Sequence, residues 1–176
     1  METPRLLIRP LSSAEREAFL QGISERELCR MYGFPEDLGR DAAGQIFDHF
    51  AALGSAYALL CSGSGELAGF VTDVPPELPE DIRSALPPRG RTFAYATFAP
   101  FRRRGLMREA LQALIGEAFR RGAGFIHCGH FDFNEPSALL LKQLGFSEYG
   151  RHGAGGKTII DELLFAAPAE TVSPKE

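Results

Sequence analysis

Apolar residues along this chain recur with two different spacings, which predicts an alternation of strands and helices. Short apolar or alternating runs bounded by Pro, Gly and Ser are typical of strands. Longer stretches with apolar residues three and four apart are typical of amphipathic helices. The predicted strands cover residues 5–9, 56–61, 66–73, 92–99, 125–131 and 158–165. The predicted helices begin near Ser12, cover about 38–53, start at 106, and run from Asn134 to Leu144.

Two helix starts carry recognisable capping signals. Ser12 and Glu15 have the spacing of a capping box, in which each residue satisfies a backbone N–H of the first turn. Asn134 is a favourable N-cap, and Pro136 follows in the first turn, where its missing N–H is harmless. Gly145 stands where the chain leaves that helix and a positive φ is needed.

Residues 74–91 interrupt the regular pattern with five prolines. Proline cannot donate to a strand ladder, so an irregular loop is expected, with a short helical turn around Asp81–Ala85. The loop is either a surface excursion or a wall of a substrate site, and the sequence leaves both readings open.

Composition narrows the class of protein. The chain has 176 residues, of which 44% are hydrophobic and 24% charged, as in an ordinary globular domain. We expect one domain over residues 1–167 and a disordered tail over 168–176. The net charge of −4 argues against general nucleic-acid binding. No apolar run long enough for a membrane span and no signal-peptide pattern is present, and the three cysteines form no disulfide framework, so a cytoplasmic location is expected.

The segment from Phe98 to Met107 carries the clearest chemical signal. A predicted strand ends, three arginines and Gly105 form a turn, and an amphipathic helix begins. Helix N-termini present free N–H groups and partial positive charge, which suits an anion such as a pyrophosphate. Gly105 lets the backbone approach the ligand, and Arg102, Arg103, Arg104 and Arg108 add charge. Taken alone, these residues also fit a solvated basic loop.

Histidine and cysteine residues near 127–130 do not predict a metal site. His127 and Cys128 are neighbours on a strand and therefore point to opposite faces. No second cluster of ligands with metal spacing appears, so no metal is expected. His130 and Asp132 lie two residues apart and share a face if the segment is extended.

Three segments together resemble the GCN5-related N-acetyltransferase (GNAT) superfamily. The turn from Arg102 to Gly105 is similar to its R-x-x-G coenzyme loop, although Met107 stands where glycine or alanine is usual. The start ETPRLLIRPLSSAE and the string NEPSALLLKQLGF, at 134–146, resemble the branch that contains the ribosomal-protein N-terminal acetyltransferases (RimJ and RimL).

The resemblance implies an α+β fold with a twisted, mostly antiparallel sheet of six to seven strands and helices on both faces. It implies acetyl-CoA as cosubstrate and acetyl transfer to a primary amine, either a protein N-terminus or a small molecule, and it suggests a homodimer. A backbone N–H near Phe98 or Ala99 would stabilise the oxyanion. The expected coenzyme-binding residues are Phe98, Ala99, Arg102, Arg103, Arg104, Gly105, Leu106, Met107, Arg108, Asn134 and Ser137.

The catalytic residues are less well specified. The amine must lose a proton, and the candidates near predicted strand ends are Asp73, Asp132, His130 and Glu162. Many family members carry a tyrosine four residues before the late-helix glycine to protonate the leaving thiolate, but this chain has Leu141 there. Ser137, one turn into the same helix, either donates to the sulfur or holds the cofactor, and the expected catalytic residues are Ser137, His130 and Asp132.

Two other functions remain open at this stage. The missing tyrosine allows an acyl-CoA-binding regulatory module without turnover. An unrelated α/β domain with a basic turn that contacts RNA is the other alternative.

Overall fold

The computed structural model describes residues 1–78 and 80–166 of the chain. The predicted tail at 168–176 lies outside these residues. The strands are β1 (Leu6–Pro10), β2 (Ala56–Cys61), β3 (Leu67–Val74), β4 (Arg91–Thr97), β5 (Phe125–Phe131), β6 (Ser147–Ala154) and β7 (Lys157–Phe165). The helices are α1 (Arg16–Ile23), α2 (Arg26–Tyr32), α3 (Arg40–Ala52), α4 (Glu80–Ser84), α5 (Leu106–Arg120) and α6 (Glu135–Gln143).

The described strands form one seven-stranded sheet in the order β1-β2-β3-β4-β5-β7-β6. Every neighbouring pair is antiparallel except β4 and β5, which are parallel. Helices cover both faces of this sheet, as Phe98 and Tyr95 at the end of β4 illustrate. Phe98 packs on Phe19 of α1, whereas Tyr95 points the other way and reaches α6. The fold is therefore the expected α+β architecture.

Strands β4 and β5 diverge soon after they begin. Within the described chain they pair only at Arg91 with Ile126 and at Thr92 with His127. Beyond that point β4 continues to pair with β3 as far as Thr97, and β5 continues to pair with β7 as far as Phe131. The two strands therefore enclose a V-shaped gap that opens toward their carboxyl ends.

A cluster of phenylalanines fixes α1 and α3 on one face. Phe19 of α1 packs edge-on against Phe47 and Phe50 of α3 and lies 5.2 Å from the ring of Phe70 on β3. Gly22 is required at the contact with Phe98, because a Cβ there would lie 2.5 Å from the Phe98 ring. This packing holds the end of β4 in place on the side away from α6.

Most predicted elements are confirmed, and the capping box at Ser12 and Glu15 is formed. The short helical turn in the proline-rich loop is present as α4. Two elements were not predicted, the short helix α2 and the exposed strand β6. Among the described residues, no helix is both long and apolar enough to cross a membrane.

Candidate functional site

The inner edge of β4 offers backbone groups to the gap between β4 and β5. The N–H of Phe98 donates to the carbonyl of Ala68 on β3, at 2.9 Å. Backbone groups of alternate residues point to opposite sides of a strand, so those of Tyr95 and Thr97 face away from β3. No described residue of β5 pairs with them, because the ladder stops at Thr92. The peptide group of Tyr95 and the N–H of Thr97 thus face the gap, whereas the carbonyl of Thr97 accepts a hydrogen bond from Arg102.

This geometry corrects the expectation for Phe98. Its N–H is committed to β3, and its side chain is buried against Phe19 and Phe70. Phe98 is therefore part of the core and not a ligand contact. Ala99 lies just beyond the strand, where it begins a one-turn 3₁₀ helix, Ala99–Phe101, and is exposed. The N–H groups that face the gap are instead those of Tyr95 and Thr97.

The turn before α5 has the backbone conformation of an anion-binding loop. Arg103 has φ 58° and Gly105 has φ 73°, so two left-handed residues lie within three positions of the helix. Turns of this kind aim successive N–H groups into a concavity that suits anions. The first intrahelical bond of α5 runs from the N–H of Glu109 to Gly105, which leaves the N–H groups of Leu106 to Arg108 without a helical acceptor.

The side chains of Leu106 and Met107 are buried in the core. Both residues can therefore contribute only backbone N–H groups to this loop. Met107, in the place of the usual glycine or alanine, turns its side chain away from the loop surface. The substitution consequently does not obstruct the backbone.

The four arginines of the loop have different roles. The guanidinium of Arg102 donates to Glu27 at 2.6 Å, to Glu25, and to the carbonyl of Thr97 at 3.2 Å. It is held by protein groups and is not available as a direct phosphate ligand. Arg104 lies over the Phe101 ring, and its carbonyl accepts a hydrogen bond from Arg5. Arg103 and Arg108 are exposed and make no ion pair with any described residue.

Glu109 anchors the loop to the N-terminal segment. Its carboxylate accepts hydrogen bonds from the Thr3 hydroxyl at 2.6 Å and from the Arg5 backbone N–H and side chain at 2.8 and 2.6 Å. Burial alone would raise the pKa of Glu109, but these hydrogen bonds outweigh it and lower the pKa from its ordinary value. Arg5 also holds the carbonyl of Arg104, so one ion pair fixes both the helix start and the turn before it.

Helix α2 links the two sides of the gap. At its start, Glu25 caps the helix by accepting from the N–H groups of Glu27 and Leu28, and it also binds Arg102 of the loop. At its end, the carbonyl of Met31 accepts a hydrogen bond from the side chain of Asn134 at 3.5 Å. Asn134 in turn caps α6 through the N–H of Ser137, at 3.2 Å. The side-chain oxygen of Asn134 is therefore used as a cap.

A hydroxyl pair lies on the α6 side of the gap. The Tyr95 hydroxyl and the Ser137 hydroxyl are 2.7 Å apart. Tyr95 comes from β4 and Ser137 from the helix that follows β5, so this hydrogen bond spans the two diverging segments. Leu141, one turn further along α6, is fully buried and provides no hydroxyl. The sequence pointed to Ser137 but not to Tyr95.

His130 is a buried structural residue. Its Nδ1 lies 2.9 Å from the carbonyl of Phe131, and its Nε2 lies 3.0 Å from Oε1 of Glu162. Both ring nitrogens are occupied, so His130 is not placed to take a proton from an amine. Glu162 is occupied by the same contact.

The expected coupling between His130 and Asp132 is absent from the described contacts. Asp132 is exposed just beyond β5, and its backbone N–H donates to Thr158 at 3.0 Å. Among the described residues its carboxylate makes no hydrogen bond. Asp73 lies at the other end of β4, opposite Phe93, where it pairs with Arg91. That position is roughly 13 Å from Thr97, at about 3.3 Å per strand residue. Asp132 is thus the carboxylate nearest the open end of the gap among the four predicted bases.

His127 and Cys128 point to opposite faces, as strand alternation predicts. His127 bonds Thr92 and Asp161, each at 3.0 Å, and Asp161 also accepts from His152 at 2.8 Å. Cys128 is buried on the face of Tyr95, and burial raises the pKa of its thiol. A thiol held in its neutral form is a poor nucleophile.

The geometry fits an extended ligand that carries a pyrophosphate. The loop before α5 supplies free N–H groups and two exposed arginines, and the edge of β4 supplies peptide groups along the gap. These are the features that acetyl-CoA, the cosubstrate implied by the resemblance, would need. The fit depends on the peptide group of Tyr95, on the N–H groups of Thr97 and of the loop before α5, and on the exposed side chains of Arg103 and Arg108.

Comparison with known proteins places the chain in a family. The family model described as Acetyltransferase (GNAT) domain matches residues 5–147. A search of curated proteins found no match. Many solved structures share the fold. One is a GNAT-family acetyltransferase from Bacillus anthracis, with 15% identity and a TM-score of 0.77, covering 94% of this chain and 97% of that chain.

Two similar structures contain the coenzyme. RimL, the ribosomal L7/L12 alpha-N-protein acetyltransferase in complex with coenzyme A, is 17% identical with a TM-score of 0.73, covering 93% of this chain and 95% of that one. An acetyltransferase of Salmonella typhimurium with acetyl-CoA is 19% identical with a TM-score of 0.67, covering 94% and 98%.

Proposed function

Because the chain belongs to the GNAT acetyltransferase family, with acetyl-CoA as its cosubstrate, we propose that it acetylates a primary amine by direct transfer within a ternary complex. The observation that carries this proposal is the open inner edge of β4 next to the loop at the start of α5. A pyrophosphate on the loop and an extended arm along β4 would together bring the thioester into the gap. Holding both substrates in one complex supplies much of the rate of such a reaction.

Different residues around the gap bind different parts of the coenzyme. The N–H groups of Gly105 to Arg108 bind the pyrophosphate, and Arg103 and Arg108 add positive charge at its rim. The peptide group of Tyr95 and the N–H of Thr97 hold the arm and the thioester carbonyl, where an N–H also stabilises negative charge that develops on oxygen. Acetyl-CoA supplies the activated acetyl group and a thiolate as the leaving group.

The acceptor amine must be neutral to attack. A lysine-like amine has an ordinary pKa of about 10.4 and is mostly protonated at neutral pH, so a base must accept its proton. Asp132 is exposed at the open end of the gap, and it accepts this proton directly or through water. The Ser137 hydroxyl donates a hydrogen bond to the departing sulfur.

We assign the acceptor to the class of protein N-termini and small primary amines. The resemblance of the sequence to the ribosomal-protein N-terminal acetyltransferases favours a protein N-terminus. The segment at 31–36 and the proline-rich loop at 74–91 are expected to line the acceptor side and to select between a protein N-terminus and a small amine.

The proposal is tested by mass spectrometry of acetyl transfer to matched acceptors. The panel contains a peptide with a free N-terminus, the same peptide with a blocked N-terminus and one lysine, and a small diamine. Acetylation of the free N-terminus alone supports a protein acceptor, and acetylation of the diamine alone supports a small molecule. Tight acetyl-CoA binding without transfer to any amine would support the regulatory module and overturn the proposal.

A further inference from the structure

The hydroxyl of Tyr95 has one hydrogen-bond partner among the described residues, the hydroxyl of Ser137. Tyr95 lies on β4 and its side chain points to the α6 face, opposite to Phe98. There its oxygen lies 2.7 Å from Oγ of Ser137. The peptide group of the same residue faces the gap. Tyr95 therefore borders the proposed thioester site with its backbone and its side chain at once.

We propose that Tyr95 is a positioning residue that orients Ser137 for donation to the leaving sulfur, in place of the tyrosine hydroxyl that Leu141 lacks. This rests on the proposed function. The Tyr95 O–H donates to Ser137 Oγ, which leaves the single Ser137 proton to point into the gap. An isolated serine hydroxyl rotates freely, whereas an Oγ that already accepts one bond has its own proton directed elsewhere.

The surroundings of Tyr95 keep its hydroxyl able to donate a hydrogen bond. Burial raises the pKa of the phenol, so it remains protonated at neutral pH. The negative charge of Glu162 on β7 also opposes ionisation of the phenol. No proton therefore leaves Tyr95 during the reaction.

The transfer step balances without ionisation of either hydroxyl. The acceptor nitrogen forms a bond to the acetyl carbon, the carbon–sulfur bond breaks, and its electron pair goes to sulfur. The proton lost by the nitrogen passes to the base and, by way of solvent, neutralises the thiolate. Ser137 lowers the energy of the developing negative charge on sulfur through a hydrogen bond, and Tyr95 fixes the direction of that bond.

A double-mutant cycle tests the proposal. Ser137→Ala is expected to lower kcat about 100-fold, as loss of one donor to a developing anion does. Tyr95→Phe is expected to lower kcat about 5-fold with KM for acetyl-CoA unchanged, which corresponds to one neutral hydrogen bond. If Tyr95 acts through Ser137, the double variant will match Ser137→Ala, because groups that act as a unit are not additive. Independent effects that multiply to about 500-fold would overturn the proposal.

A titration of bound coenzyme A gives a second readout that does not depend on turnover. Thiolate absorbance in the ultraviolet reports the pKa of the bound thiol, whose ordinary value is about 8.5 for a cysteine. A correctly oriented Ser137 lowers this pKa, and both Tyr95→Phe and Ser137→Ala raise it toward that of free coenzyme A. Ser137→Thr, which retains a hydroxyl, keeps it low.

The control is Tyr57→Phe, which removes a tyrosine hydroxyl from β2, two strands away from β4. It is expected to match the wild type in kcat and in the thiol titration. Tyr95→Phe retains the ring and is expected to melt within about 2–4 °C of the wild type. If the wild type neither binds coenzyme A nor transfers acetyl, the proposed function fails. If the wild type is active and Tyr95→Phe matches it in both readouts, only the role of Tyr95 is overturned.

Discussion

The loop before α5 makes a quantitative prediction when Gly105 is replaced by glutamate. Gly105 has φ 73°, and a Cβ at this position would lie 3.4 Å from an Arg5 nitrogen, an ordinary contact. The substitution therefore introduces no clash, but a non-glycine residue in the left-handed region costs about 1–2 kcal/mol. For a chain of this size that lowers the melting temperature by roughly 2–8 °C.

The effect on coenzyme binding is separate and larger. Two charges 4 Å apart interact with about 1 kcal/mol in water and about 4 kcal/mol at an effective dielectric constant of 20. Repulsion of about 2.7 kcal/mol between the new carboxylate and the pyrophosphate weakens binding about 100-fold. Acetyl-CoA at 100 times its wild-type Kd stabilises the wild type by about 2.7 kcal/mol, but the variant by only about 0.4 kcal/mol. The expected melting shifts are roughly 5–10 °C and about 1 °C.

The matched control is Gly54→Glu, and the assay is thermal unfolding with and without acetyl-CoA, coenzyme A and ATP. Gly54 has φ 66° in the turn after α3, and a Cβ there would meet no described atom within 4 Å beyond its chain neighbours. It carries the same backbone strain and the same new charge far from the loop. Both variants should lose stability, but only Gly105→Glu should lose the coenzyme shift. A full shift in Gly105→Glu would refute the assignment of the pyrophosphate to this loop.

Three further predictions follow from the contacts of individual side chains. Arg108→Ala should weaken acetyl-CoA binding up to about 5-fold and reduce its salt dependence, as measured by titration calorimetry. Arg120→Ala, at the other end of α5, should leave the affinity for acetyl-CoA unchanged. Glu109→Gln should lower the melting temperature at pH 7. Because the folded-state pKa of Glu109 is lowered, that difference should shrink as the pH falls below about 4; a constant difference would contradict this role. With a thiol reagent at neutral pH, Cys61 should react in the native protein, and the buried Cys29 and Cys128 only after unfolding.

The elements that the sequence failed to predict lack the signals that sequence patterns depend on. Helix α2 has seven residues, follows α1 after two residues, and is capped by Glu25 in place of Ser, Thr, Asp or Asn. Strand β6 lies at the edge of the sheet and is exposed almost throughout, so it shows no apolar alternation. A periodic pattern of apolar residues arises where one face of an element is buried along its length. Neither α2 nor β6 has such a face over enough residues to show the pattern.

The part of the candidate site that depends on the order of elements along the chain could be predicted from the sequence. The part that depends on which residues of a strand face a given neighbouring strand could not. The loop from Arg102 to Gly105 could be located because a strand, a glycine and a helix follow one another. The pairing of the Phe98 N–H with β3 could not be predicted, because the segment TFAYATFA is apolar on both faces and its sequence does not reveal which peptide groups meet β3. Tyr95 carries the one polar group among the aromatic residues of that strand, and this was the available signal.

The open edge of β4 also bears on how far sequences of this fold can diverge. Peptide groups at Tyr95 and Thr97 are present whatever side chain they carry, and among the common amino acids only proline removes the N–H. Selection on coenzyme binding therefore constrains the path of the strand more than the identity of its residues. The similar structures share the overall fold at 15–19% identity. Such a site can persist through extensive substitution, while the acceptor-facing segments are free to acquire new specificities.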